Sequence, residues 1–103
     1  GKDYGPLKNV IKTDDIHLIQ VRYYDNKRFK NIQEVQSYLN SVLHSEQGST
    51  MRHIFWDEGL PVVTVEATII FKSGERTKWL LAPHRSVIQD VQLRWWFNYV
   101  PAY

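Results

Sequence analysis

The stretch PVVTVEATIIFK, Pro61 to Lys72, followed by SGE and then RTKWLLA, constrains this chain more than any other part of it. Val63, Val65, Ala67, Ile69 and Phe71 fall on one side, and Thr64, Glu66, Thr68, Ile70 and Lys72 on the other. A strand sends successive side chains to opposite faces, so this pattern specifies a strand with one buried face. Ser73–Glu75 then turns the chain. A two-residue Ser73-Gly74 loop would place Ile69 opposite Lys78, an apolar residue against a charge. A three-residue loop of Ser73 to Glu75 places Ile69 opposite Trp79, Phe71 opposite Thr77 and Ala67 opposite Leu81. A one-residue slip exchanges faces, so the odd-numbered loop is expected. The resulting apolar face must be covered by another element.

The cover is a helix. Ile32, Val35, Leu39, Val42 and Leu43 make one apolar stripe at helical spacing. Asn31 is the expected N-cap and Glu34, three residues on, completes a capping-box pattern. HSEQGS ends the helix, with Gly48 near the C-terminal cap. The opposite face, Gln33, Gln36, Ser37 and Asn40, is polar but nearly uncharged.

The other segments read as extended. Ile16–Tyr24 is rich in β-branched and aromatic residues, with His17, Ile19, Val21 and Tyr23 on one face. Asp25–Lys27 turns the chain. Met51–Glu58 is a short strand stopped by Gly59-Leu60-Pro61. After PHR, the segment from Ser86 to Val100 has helical features, a Ser86/Gln89 cap pattern and Ile88, Val91, Trp95 and Tyr99 near helical spacing. Alternation fits it better as one long strand: Val87, Val91, Leu93, Trp95, Phe97 and Tyr99 inward, with Ile88, Asp90, Gln92, Arg94, Trp96 and Asn98 outward. Only Gln89 breaks the inner series.

The 103 residues suit one domain, residues 1–103, with an irregular arm over about 1–13. With 43% apolar and 14% aromatic residues the chain can bury a core. Thirteen cationic against eleven acidic residues, net +2, is too even to predict nucleic-acid binding from charge alone. No cysteine is present, which excludes disulfides and thiol chemistry. The apolar runs are too short for a membrane-spanning helix, and neither a signal peptide nor an Asn-x-Ser/Thr acceptor is recognised.

The expected fold is therefore α+β, one amphipathic helix packed on a curved antiparallel sheet of four or five strands. That order of elements is similar in topology to cystatin-like and NTF2-like folds, a likeness that implies shape only. YYDNKRFKNIQEVQSYL, Tyr23 to Leu39, resembles the turn-and-helix portion of methyl-CpG-binding-type domains.

Catalytic chemistry finds little support. Asp14, Asp15 and His17 are a candidate cation cluster, read here as a solvated loop entering a strand. His53, Phe55 and Asp57 share a strand face with Glu58 beyond, an acid-base arrangement with no nucleophile motif attached. His84 stands beside Pro83 in a connection. Glycine-rich phosphate loops and zinc spacings are absent. Neither a catalytic residue, a metal ligand nor a cofactor is expected.

Three binding readings remain. The favoured one is a non-enzymatic protein-binding domain, such as an inhibitor or immunity-type protein or an accessory subunit. It would use the open sheet face through Trp96, Arg94, Asn98, Lys78, Arg76 and Ile70, a mix that interface hot spots prefer. A sheet edge offers strand addition or a homodimer. The second reading is nucleic-acid binding through Lys27, Arg28 and Lys30, with Trp56 available to stack on bases. The third is a small-ligand pocket between helix and sheet, lined by Trp79, Trp95 and Tyr99.

Overall fold

Lys72, Ser73 and Gly74 form the turn that sets the register of the central hairpin. Gly74 N–H donates to the Phe71 carbonyl at 2.8 Å and Phe71 N–H to the Glu75 carbonyl at 2.9 Å. Gly74 holds φ at +90°, the left-handed position that closes a three-residue hairpin loop and favours glycine. The loop has the expected odd length but begins one residue earlier. Ala67 therefore faces Trp79, and Ile69 faces Thr77. A shift of two residues leaves every side chain on its expected face.

The computed structural model describes residues 2–54, 60, 62–89 and 93–99. One helix packs on an antiparallel sheet, an α+β fold. The elements are β1 (Ile16–Tyr24), α1 (Ile32–Leu43), β2 (Ser49–Ile54), β3 (Val65–Phe71), β4 (Arg76–Ala82), β5 (Arg85–Gln89) and β6 (Leu93–Asn98). The sheet has six strands in the order β1-β3-β4-β5-β6-β2, more than the four or five expected. The extra strand arises because the segment expected as one long strand is a hairpin, β5 paired with β6. The break at Gln89 marks the reversal. Reversal also exchanges faces in β5: Ile88 turns inward against Trp79 and Trp95, while Val87 turns outward. Trp95, Phe97 and Tyr99 keep the inward positions their alternation predicts.

β1 departs from simple alternation at two places. Its pairing with β3 shifts between Ile16 and Leu18 and again between Val21 and Tyr23, so His17 and Arg22 are bulged. Each extra residue flips the faces that follow. Ile16, Ile19, Val21 and Tyr24 pack against the core, whereas Tyr23, expected on the same face as Ile19 and Val21, is 52% exposed.

Two rows of side chains cross the inner face, Val21–Ala67–Trp79–Ile88–Trp95 and Tyr24–Val65–Leu81–Ser86–Phe97. Val35, Leu39, Val42 and Leu43 of α1 are buried against this core. Each such aliphatic side chain contributes about 1.5–3 kcal/mol on leaving water. The Asn31 side chain accepts the Glu34 N–H at 3.0 Å, as an N-cap should. The reciprocal Glu34 contact goes to Lys30 N–H at 3.4 Å. The C-cap is His44 rather than Gly48. Gly48 instead lies under Phe97 at φ +143°, where a Cβ would stand 2.3 Å from the ring. The arm is not loose: two short 3-10 turns, Leu7–Asn9 and Thr13–Asp15, seat Leu7 and Ile11 in the core.

Candidate functional site

The sheet face away from α1 gathers the sequence-predicted contact residues. Leu80, Val87, Trp96 and Met51 form a row across β4, β5, β6 and β2. The adjacent row is Thr68, Lys78, Gln89, Arg94 and His53. Lys78 and Arg94 both face Gln89 from opposite sides, so their strands stand about 10 Å apart. Arg76 lies opposite Ile70, and Arg85 opposite Asn98. Arg22 reaches the same face, its Nε donating to Thr68 Oγ1 at 3.3 Å. Among the described residues this face carries Arg22, Arg76, Lys78, Arg85 and Arg94 against two carboxylates, Glu66 and, beside Met51 at the margin, Asp3.

Arg76 and Lys78 are exposed, while Ile70, Arg94 and Asn98 are half-buried. Arg94 is already engaged by a neighbouring group. Trp96 points away from the helix as its position in the strand requires, but it is not open to solvent. Its exposure is 5%. The Arg85 guanidinium lies 5.7 Å from the ring centre, and the His53 ring stands perpendicular at 6.1 Å. Val87, opposite it, is buried too. Stacking of a cation on an indole face is worth about 0.5–2 kcal/mol. The exposed hot-spot role expected of Trp96 is therefore corrected: the residue forms the apolar floor of the face. Its Nε1 is buried with no hydrogen-bond partner, a state that costs about 1–3 kcal/mol.

Arg85 and Arg22 were absent from the expected contact set. The Pro83-His84 turn was the available signal for Arg85, because Ala82 pairs with Arg85 around it and starts a new strand. His84 holds φ at +65° in that turn, and its carbonyl accepts the Tyr99 N–H at 3.1 Å. Alternation already sets Arg22 on the face of Leu18 and Gln20, and the pairing with β3 identifies that face as the one away from α1.

Lys27, Arg28 and Lys30 occupy the connection from β1 to α1 and are all exposed. Carboxylates tie that turn down. Asp25 Oδ1 accepts Lys27 N–H at 2.9 Å, and Asp25 Oδ2 lies 4.0 Å from Arg28 Nε. Trp56, Phe55, Asp57 and Glu58 lie outside the described residues. Asp14 and Asp15 sit in an exposed 3-10 turn, and His17 is an exposed bulge residue. Among the described residues no three His, Asp or Glu side chains are grouped to hold a metal ion.

The aromatic pocket expected between helix and sheet is filled by packing: Trp79 has no exposed surface and Tyr99 is buried. Tyr99 donates its hydroxyl proton to the Ala82 carbonyl at 2.9 Å and is bonded to the Tyr38 hydroxyl. A 610 Å³ cleft opens instead beside α1, lined by Arg28, Phe29, Glu34, Ser37, Tyr38 and Pro83 among others. No helix is long and apolar enough to cross a membrane.

Comparison with known proteins finds no matching family model, no similar curated protein and no similar solved structure.

Proposed function

We propose that the chain is a non-enzymatic protein-binding domain that receives an acidic surface of its partner on the sheet face away from α1. The observation that carries this is the charge imbalance of that face, Arg22, Arg76, Lys78, Arg85 and Arg94 against Glu66 and Asp3 among the described residues. A sheet with one covered face offers the other to a partner. Cations around an apolar floor of Leu80, Val87 and Trp96 suit a rim of carboxylates around an apolar centre. An inhibitor, an immunity-type protein or an accessory subunit fits this description. The likeness in outline to cystatin-like and NTF2-like folds contributes shape and no more.

The test is capture of partners from the native source with the parent chain and with the double variant Arg76→Glu/Lys78→Glu. Both side chains are exposed, so folding stability should stay within about 0.5 kcal/mol. Loss of the captured protein, with unchanged melting, supports the proposal. Capture that survives reversal removes it. A parallel titration with random DNA and RNA at low salt decides against the other polyanion. Binding that weakens steeply with salt, and that reversal abolishes, would replace the protein partner with nucleic acid.

A further inference from the structure

The two edges of the sheet are treated differently. At the β2 edge the chain covers itself: Asp3 bridges to Met51, Tyr4 N–H donates to the Thr50 carbonyl at 2.8 Å, and Thr50 Oγ1 donates to the Gly5 carbonyl at 2.7 Å. At the other edge β1 pairs with β3 on one side, and among the described residues no segment pairs with its outer side. That side presents unpaired backbone N–H and C=O groups in strand spacing. Between the bulges at His17 and Arg22, Leu18–Val21 is regular.

A groove of 300 Å³ runs along this edge between β1 and α1. Ile19 and Val21 line it from the strand, and Leu39 and Leu43 from the helix. The exposed amides of Gln36 and Asn40 and the exposed His17 border it, and no Lys, Arg, Asp or Glu lines it. Leu18, at the strand margin, is 46% exposed. The uncharged helix face, unusual for a surface helix, thus has a place in the fold.

We propose that this groove takes an extended, uncharged segment of a partner protein, added as a further strand to the free edge of β1. The occupant follows from the groove. Edge backbone groups are satisfied by another strand and not by a helix. A strand laid there directs alternate side chains onto Leu39 and Leu43, so its apolar residues alternate. Its other side chains pass Leu18. A charged side chain would be desolvated against Leu39 and Leu43, where the helix side of the lining offers only the Gln36 and Asn40 amides. A second copy of β1 fits poorly. The regular stretch between the bulges spans only about 13 Å, and a stable dimer buries about 1,200–2,000 Å². The groove lies on the helix side of the sheet and meets the cationic face only at Leu18, in one row with Ile70 and Arg76, so different substitutions test the two proposals.

The experiment selects a displayed library of random peptides, roughly eight residues long to match a strand, against the full chain. Selected peptides are then titrated into the ¹⁵N,¹³C-labelled protein. The expected binders are neutral with alternating apolar residues, and they shift the amides of Leu18–Val21 and the methyls of Leu39 and Leu43. Gln36→Lys and Asn40→Lys, both at exposed helix positions, weaken them about tenfold or more by placing a charge on the groove. Arg76→Glu/Lys78→Glu leaves them unchanged. Selection that yields no binder, binders that shift β2 or the outer face, or binding indifferent to both lysine substitutions overturns the proposal. Concentration-dependent self-association that shifts the same amides without peptide overturns it in favour of a second copy.

Discussion

Replacing Gly48 with alanine tests the packing of β2 and β6 over the core. The position holds φ at +143°, which residues with a side chain rarely adopt. Strain of that kind costs about 1–3 kcal/mol. The new methyl would meet Phe97 Cε2 at 2.3 Å, Phe97 Cζ at 2.6 Å and the Asn98 carbonyl oxygen at 2.7 Å. Phe97 has no exposed surface, so its ring cannot swing into solvent. Forcing a methyl into such packing adds about 1–3 kcal/mol. The total, about 2–6 kcal/mol, is a large part of the ~5–15 kcal/mol that holds a small domain folded. Urea unfolding followed by tryptophan fluorescence reads it directly. With m of about 2 kcal/mol per molar, the midpoint should fall by about 1–3 M. Gly74→Ala is the control, because it shares a positive φ of +90° but meets nothing within 4 Å. It should lose only the backbone contribution, about 1–2 kcal/mol. Pairing Gly48→Ala with Phe97→Leu should recover part of the clash and appear as non-additivity. If Gly48→Ala costs no more than Gly74→Ala, the approach of Phe97 to this backbone is not what places glycine there.

Trp96→Ala should destabilise by about 3–5 kcal/mol because the ring is buried, while Trp96→Phe should stay within about 1 kcal/mol as it also removes the unpartnered N–H. Thermal melting separates them, and an Ala variant that melts like the parent would refute the buried placement. Asn31→Ala should cost about 1 kcal/mol in urea unfolding by removing the acceptor for Glu34 N–H, and Asn31→Asp should restore it. A null effect would show that the cap contributes nothing. His84→Asn should gain up to about 1 kcal/mol, since asparagine tolerates the left-handed turn position better. A loss on melting would mean that the His84 side chain itself holds the turn.

The helix was legible because both its stripe and its cap are local. Ile32 to Leu43 carry the period, and Asn31 and Glu34 lie within one turn of each other. The inward set Trp95, Phe97 and Tyr99, and the outward direction of Trp96, were likewise readable, since alternation within one strand needs no knowledge of its neighbours. The candidate face was legible as a list of residues but not as a surface. Its burial was misjudged at Trp96, because Arg85, Val87 and His53 reach the ring from two other strands.

Periodicity along a segment, with a local cap, is thus enough to decide element type, the start of the helix and the facing of side chains within an uninterrupted strand. Everything that depends on pairing was decided by tertiary structure. The bulges at His17 and Arg22 exist only relative to β3. The reversal after Gln89 separates β5 from β6 and reassigns Val87 and Ile88. The placement of β2 at the far edge leaves β1 exposed and lets the N-terminal arm cover β2. The physical reason is range. A period of two is a property of neighbouring peptide units, whereas register and edge position are set by hydrogen bonds and packing between residues far apart in the chain.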